Sequence, residues 1–78
     1  MASFYDNLSE SYIYRFDYDG SNNLLYKGRA LPGSASSDAA WAIQKYTYTG
    51  GNLTLIQWAN GDNALNKIWD NRAALSYA

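Results

Sequence analysis

Apolar and polar side chains alternate over four stretches of the chain, and this period of two predicts β-strands. The clearest stretch is 11–19, where one face carries four aromatic side chains: Tyr12, Tyr14, Phe16 and Tyr18. Residues 24–30, 40–48 and 53–59 show the same alternation. We therefore expect four strands between residues 11 and 59.

Turn-forming residues separate the predicted strands. Residues 20–23 read Gly-Ser-Asn-Asn, and residues 49–52 contain a Gly-Gly pair that is typical of a hairpin. Pro32 and Gly33 begin the longest loop. Gly28 lies inside the second strand, where a glycine indicates a bulge or the close approach of another backbone.

The C-terminal part changes from a period of two to helical spacing. Its apolar positions and one arginine are three or four residues apart: Leu65, Ile68, Trp69, Arg72 and Ala73. Several asparagines in this stretch favour a short or irregular helix, with Asp62 as a cap. Residues 74–77 are expected to pair back onto the sheet as a last strand.

The pattern thus predicts a mainly β fold, a small antiparallel sandwich or barrel of four to five strands with a short helical turn near 63–72. Residues 1–10 are expected to form an N-terminal arm and residues 11–78 a single small β domain. The predicted core combines aromatic and aliphatic side chains from all these elements: Tyr14, Phe16, Leu24, Tyr26, Trp41, Ile43, Leu55, Trp58, Ile68 and Trp69.

Composition limits both stability and chemistry. A domain of 78 residues buries only roughly 60% of the surface that its unfolded chain exposes. The chain has no Cys and no His, so disulfides, His/Cys zinc sites and His- or Cys-dependent catalysis are excluded. Association with other chains is the remaining way to stabilise so small a domain. We expect no enzymatic activity, no catalytic residue, no bound metal and no cofactor.

Charge and hydropathy point away from two other classes of partner. The net charge is −1 and the six basic residues are scattered, so no nucleic-acid footprint is present. The apolar stretches are much shorter than the roughly 20 residues of a membrane span. The first residues do not resemble a signal peptide. We expect a soluble protein, made inside the cell, that binds neither nucleic acid nor membrane.

Carboxylates occur in two arrangements that could bind a metal ion or act in catalysis. Residues 17–22 contain oxygen ligands near a turn, but the spacing is not that of an EF-hand, and an acidic hairpin turn is favoured over a Ca²⁺ site. Asp62 and Asp70 are two carboxylates, the residue type that glycosidases use in catalysis. For both residues a role in capping or an exposed, solvated position is favoured over catalysis. Asp70 and Arg72 are expected to form an ion pair that fixes the turn against the sheet.

The aromatic stripe on the first strand is compatible with three roles: a buried sheet face, a protein interface or a platform that stacks sugars or bases. Tyr, Trp and Phe number thirteen against twelve Leu and Ile, and Tyr, Ser, Gly and Asn make adaptable contact surfaces. The candidate interface residues are aromatic: Phe4, Tyr5, Tyr12, Tyr18, Tyr48 and Tyr77. The candidate structural anchors are Trp41, Trp58, Trp69, Asp70 and Arg72.

Over about residues 24–78 the chain resembles small proteins encoded among the structural genes of tailed bacteriophages. The resemblance lies in several segments: 26–30 with Pro32-Gly33, 37–45, 51–54, 58–62 and 68–77. It implies a virion component without enzymatic activity, made in the host cytoplasm. Within that class a capsid decoration or cement protein is expected, one that associates with itself and with other virion proteins, such as the major capsid protein or tail and neck proteins. The alternatives are a tail, collar or fibre-associated protein and a small carbohydrate-binding module.

Overall fold

A computed structural model describes residues 11–78, so the predicted arm with Phe4 and Tyr5 lies outside the described residues. Strands β1 (Ile13–Tyr18), β2 (Leu24–Ala30), β3 (Ala39–Thr49) and β4 (Asn52–Trp58) follow one another along the chain. They form an antiparallel sheet in the order β1-β2-β3-β4. A two-residue strand, β5 (Lys67–Ile68), pairs with β3, and a 3₁₀ helix (Trp69–Ala74) follows it.

The predicted fold class is confirmed: residues 11–78 are mainly β, with four to five antiparallel strands and one short helical turn. β1 and β4 lie at the two ends of the strand order. The second layer is made by residues 67–78, the C-terminal segment, and not by a second full sheet. The helical turn begins at Trp69, later than the sequence predicts. The reason is that Lys67 and Ile68 pair with Trp41 and Ala39 of β3, which holds them extended.

Both predicted hairpins form, and their turn residues show why. The Asp19 carboxylate accepts hydrogen bonds from the backbone N–H groups of Asn23 (3.0 Å) and Ser21 (2.8 Å), and these bonds lower the pKa of Asp19. In the second hairpin Gly50 and Gly51 have φ values of 59° and 84°. Two successive left-handed residues are the geometry of the tight hairpin turn that glycine makes accessible.

The core lies on one side of the sheet and is built on tryptophans. Trp41 and Ile43 of β3 are fully buried, and Trp69 of the 3₁₀ helix packs on Trp41 with ring centroids 6.0 Å apart. The Trp41 indole N–H donates to the carbonyl oxygen of Ala35 at 2.8 Å. Gly28 admits this packing, since a Cβ there would lie 2.6 Å from Trp69 Cε3. The approach predicted at Gly28 is therefore made by a side chain.

The predicted last strand over residues 74–77 does not form: Ala74 ends the 3₁₀ helix, and the residues after it contact the sheet through one bridge. Trp58 and Ala78 exchange two backbone hydrogen bonds of 3.0 Å each, and Ala59 forms a β-bridge with Tyr77. Tyr77 then packs on Tyr26 of β2, with ring centroids 5.7 Å apart. The C-terminal segment thus covers one face of the sheet.

Part of the predicted core was wrong. Tyr14, Phe16 and Leu55 are 48%, 51% and 47% exposed, whereas the core was expected to bury them. Tyr14 and Phe16 point away from the C-terminal segment, and Leu55 lies on the covered side beyond the reach of that segment. The predicted core residues Leu24, Trp58 and Ile68 are partly buried.

Candidate functional site: the open aromatic face

The sheet has a covered face and, among the described residues, an open face. Positions facing the C-terminal segment include Asp17, Tyr26 and Gly28, which contact Arg72, Tyr77 and Trp69. Side chains alternate along each strand, so the next positions point to the opposite side. We define the open face by these residues: Tyr12, Tyr14, Phe16, Tyr18, Lys27, Arg29, Gln44 and Trp58.

Aromatic rings occupy the β1 edge of the open face. Tyr14 and Phe16 stack on each other with ring centroids 6.4 Å apart and an interplanar angle of 22°. Tyr18, one of the predicted interface residues, continues the row and is 57% exposed. A continuous exposed apolar surface is uncommon on a monomer and is typical of contact surfaces. This row is therefore the strongest candidate for molecular contact in residues 11–78.

Two cations lie among these rings. The Lys27 Nζ atom is 5.1 Å from the centroid of Tyr14. The guanidinium of Arg29 lies between two rings, with its Cζ atom 5.0 Å from Tyr12 and 5.9 Å from Trp58. Cation–π contacts orient both side chains across the sheet. The predicted interface residue Tyr12 thus contributes by holding Arg29.

A cleft of about 230 Å³ opens between the rings and the cations. Its lining comes from all four long strands: Tyr14, Lys27, Arg29, Ala42, Gln44 and Trp58. The strand register explains this lining, since Tyr14 pairs with Arg29, Lys27 with Gln44 and Gln44 with Trp58. The cleft is smaller than the roughly 300–1,000 Å³ of pockets that enclose a drug-sized ligand. It has the size for a single side chain or a small group.

Arg29 has an unusual environment in this cleft. Its Nε atom is buried and has no hydrogen-bond partner. Neither ion pair in the described part of the chain involves Arg29 or Lys27. Gln44 is held by the Tyr46 hydroxyl, which donates to Gln44 Oε1 at 3.1 Å. Burial, and secondarily the neighbouring Tyr48, raises the pKa of Tyr46 above its usual value.

The ion pair that fixes the C-terminal segment is made with an unexpected partner. Arg72 Nε donates to Asp17 Oδ2 at 3.0 Å, and its guanidinium lies 4.6 Å from the Trp69 ring. Asp70 instead accepts a hydrogen bond from the Ser36 hydroxyl at 3.3 Å. The predicted Asp70–Arg72 pair was therefore wrong in its partner. Arg72 still joins the turn to the sheet, through a residue 55 positions away.

Two further interface candidates are engaged inside the chain. The Tyr48 hydroxyl donates to the carbonyl oxygen of Leu24, and the Tyr77 hydroxyl donates to that of Arg72, both at 2.8 Å. Burial raises the pKa of Tyr77 to about 12, with Tyr26 adding to the rise and Arg72 opposing it. These hydroxyls contribute to the fold, and the exposed row on β1 carries the free aromatic surface.

The carboxylates considered for chemistry have structural partners. Asp62 binds the ammonium of the buried Lys67 and accepts from the Ala64 N–H, which together lower the pKa of Asp62. Asp70 contacts Ser36, so Asp62 and Asp70 share no partner. Within residues 11–78 no three His, Cys, Asp or Glu side chains are grouped to hold a metal ion. No helix in that range has the length and apolar character needed to cross a bilayer.

Compared with protein-family models, curated proteins and solved structures, the chain matches none of them. The resemblance to phage structural proteins therefore stays a prediction.

Three residues of the open face were not predicted from the sequence: Lys27, Arg29 and Gln44. A signal for the two cations was present, since they occupy alternate positions of one predicted strand and so share a face. The sequence could not show that their face is the open one, because this depends on where the C-terminal segment packs.

Proposed function

We propose that this chain is a non-enzymatic structural protein of a tailed-phage virion, a capsid decoration or cement protein that binds its neighbours through the open face. The observation that carries the proposal is the row of Tyr14, Phe16 and Tyr18, each about half exposed on strand β1. Aromatic side chains on a rigid scaffold are the usual anchors of protein interfaces. The resemblance over residues 24–78 supplies the virion class.

The proposed mechanism is burial of this aromatic row by a neighbouring subunit. Hydrophobic burial contributes about 25 cal/mol for each Å² of apolar surface removed from water. One small contact of this kind is weak, but many copies on a symmetric particle act together. The pairing of β1 with β2 and the C-terminal layer behind them hold the rings in place before binding.

A tail, collar or fibre-associated protein would use the same surface, and copy number separates the two locations. We expect hundreds of copies per particle for a decoration protein and about a dozen for a neck or tail component, as cyclic assemblies provide. Quantitative mass spectrometry of purified virions, referenced to the major capsid protein, measures this ratio. Virions that lack the chain would overturn the proposal.

A matched pair of variants tests whether the open face makes the contact. Phe16→Ser removes an exposed ring from the open face, whereas Leu55→Ser removes a similarly exposed side chain, 47% against 51%, from the covered side. We expect Phe16→Ser to lower the number of copies per virion and Leu55→Ser to leave it unchanged. Equal occupancy for both variants would assign the contact to another surface.

A carbohydrate-binding module is the second candidate, and the cleft favours it. Trp58 and Tyr14 line that cleft beside the amide of Gln44, a combination that stacks on sugar rings and bonds to their hydroxyls. A glycan array read with the labelled chain, followed by Trp fluorescence titration, tests this function. Binding that disappears in Trp58→Ala and persists in Trp69→Phe would favour the module over the cement protein.

A further inference from the structure

We infer that the cleft of the open face binds a carboxylate side chain carried by an aromatic or apolar peptide segment of a partner protein, with Arg29 as the principal ligand. This inference deepens the proposed function, because it names the chemistry of the partner at the same surface. It follows from the state of Arg29, the charges around the cleft and the shape of the surface beside it.

One donor of Arg29, the Nε–H group, is buried without an acceptor. A guanidinium carries five N–H donors, and burying one without a partner is costly. In Arg29 the Nε atom is buried and unpaired, while Tyr12 and Trp58 flank the guanidinium. Contact with these rings supplies no hydrogen-bond acceptor in the plane of the guanidinium. A planar carboxylate matches the edge of a guanidinium with two parallel bonds.

No carboxylate within residues 11–78 lines the cleft or pairs with its two cations. Lys27 and Arg29 both line the cleft, and the other lining residues are Tyr14, Ala42, Gln44 and Trp58, none of which is anionic. In residues 11–78 the two ion pairs join Arg72 to Asp17 and Lys67 to Asp62, away from this cleft. The complementary occupant is therefore an anion.

The surroundings of the cleft favour a peptide over a larger anion. About 230 Å³ accommodates a group the size of one side chain. Next to it the stacked rings of Tyr14 and Phe16 offer apolar surface along β1. A ligand that fills the cationic cleft and also contacts the stacked rings has a carboxylate with apolar groups a few ångströms away. A segment with Asp or Glu between aromatic residues has this pattern.

Two blocked peptides test the inference on the full chain: acetyl-Phe-Glu-Phe-amide and acetyl-Phe-Gln-Phe-amide. NMR spectra that report the Arg29 Nε–H and the Trp58 indole N–H follow each titration at millimolar peptide. We expect the Glu peptide to bind about tenfold more tightly, as a charge-assisted pair provides. The Arg29 Nε–H signal should shift with the Glu peptide alone, and added salt should reduce the difference.

Variants locate the effect. Arg29→Gln should abolish the preference for the Glu peptide, whereas Arg15→Gln, the same change on the covered face, should retain it. Gln44→Glu provides a second variant that needs no loss of Arg29. It places a carboxylate inside the cleft, so we expect the peptide preference to disappear and the Arg29 Nε–H signal to be shifted without peptide.

Several results would overturn the inference. They are equal affinity for the two peptides, no shift of the Arg29 signal, or an unchanged preference in Arg29→Gln. Tighter binding of a glucuronate disaccharide or a single-stranded oligonucleotide would assign the cleft to another ligand. The two proposals can fail separately. If virions contain the chain but the chain shows no preference for the Glu peptide, only the proposed cleft ligand is refuted. If the chain prefers the Glu peptide but virions lack the chain, only the proposed virion role is refuted.

Discussion

The two faces of the sheet use aromatic residues in opposite ways. On the covered face Trp41 and Trp69 interlock over Gly28 and exclude water. On the open face Tyr14 and Phe16 stack along one strand and remain half exposed. The two sets of rings differ in exposure because the C-terminal segment packs over only one face of the sheet.

Cations differ between the faces in the same way. Arg72 on the covered side contacts the Trp69 ring and is also paired with Asp17. Arg29 on the open side contacts Tyr12 and Trp58 but has no carboxylate partner among residues 11–78. Arg72 therefore has a carboxylate partner within the described residues, whereas Arg29 does not.

The largest expected difference between the faces concerns large aromatic side chains. Trp69→Ala should lower the free energy of unfolding by about 3–5 kcal/mol, since it empties a buried site. Phe16→Ala should cost less than about 1 kcal/mol because the ring is half exposed. Urea denaturation monitored by fluorescence and circular dichroism measures both. A similar loss for both variants would contradict the division into two faces.

Gly28 gives the next largest effect. Gly28→Ala places a Cβ 2.6 Å from Trp69 Cε3 and 3.1 Å from Trp41 Cε3, so the rings must move. We expect a loss of roughly 1–3 kcal/mol, the usual cost of overpacking. Gly20→Ala is the control, since nothing lies within 4 Å of a Cβ there. Equal thermal stability of the two variants would show that the Trp69 ring yields freely.

The ion pair between Asp17 and Arg72, which joins the covered face to the C-terminal segment, is expected to contribute less to the free energy of unfolding. Asp17→Asn should cost roughly 0.5–1 kcal/mol, because both side chains are about one-third exposed and screened by solvent. Asp70→Asn should cost less, since Asp70 contacts only Ser36 through its side chain. The loss in Asp17→Asn should shrink as salt is added. A larger loss in Asp70→Asn would restore the ion pair that the sequence suggested.

The last comparison concerns alkaline pH and applies only above about pH 10, the ordinary pKa of tyrosine. The Tyr77 hydroxyl loses its proton near pH 10 in the unfolded chain and only at about 12 in the folded one. The unfolded state therefore binds fewer protons between these values, and stability falls as pH rises through this window. Tyr77→Phe should flatten that fall, measured as the free energy of unfolding against pH. An identical slope in the variant would assign the alkaline loss to other groups.

Local patterns were enough for much of the fold. The strands predicted at 24–30, 40–48 and 53–59 lie at Leu24–Ala30, Ala39–Thr49 and Asn52–Trp58. Alternation and turn-forming residues are properties of neighbouring positions, so they can be identified in the sequence without knowledge of the fold. The helical spacing of residues 65–73 was less informative, because pairing with β3 replaced its first part by β5.

The candidate site was only partly predictable. Tyr12 and Tyr18 were predicted as interface residues and lie on the open face, but Tyr14 and Phe16 were assigned to the core. Alternation places all four on one side of β1 without revealing whether that side is covered. The partners of Arg72 and Arg29 depend on contacts between distant strands, which no local pattern contains.

The sequence by itself determined the four long strands, the hairpin turns, the special position of Gly28 and the absence of His and Cys chemistry. The tertiary structure decided which of two aromatic faces is buried, that Asp17 pairs with Arg72, and that the Nε–H group of Arg29 is buried without an acceptor. The physical reason is that secondary structure follows from short-range sterics and periodicity. Coverage of a face instead follows from where a distant segment finds the best packing, and here Trp69 finds it above Gly28.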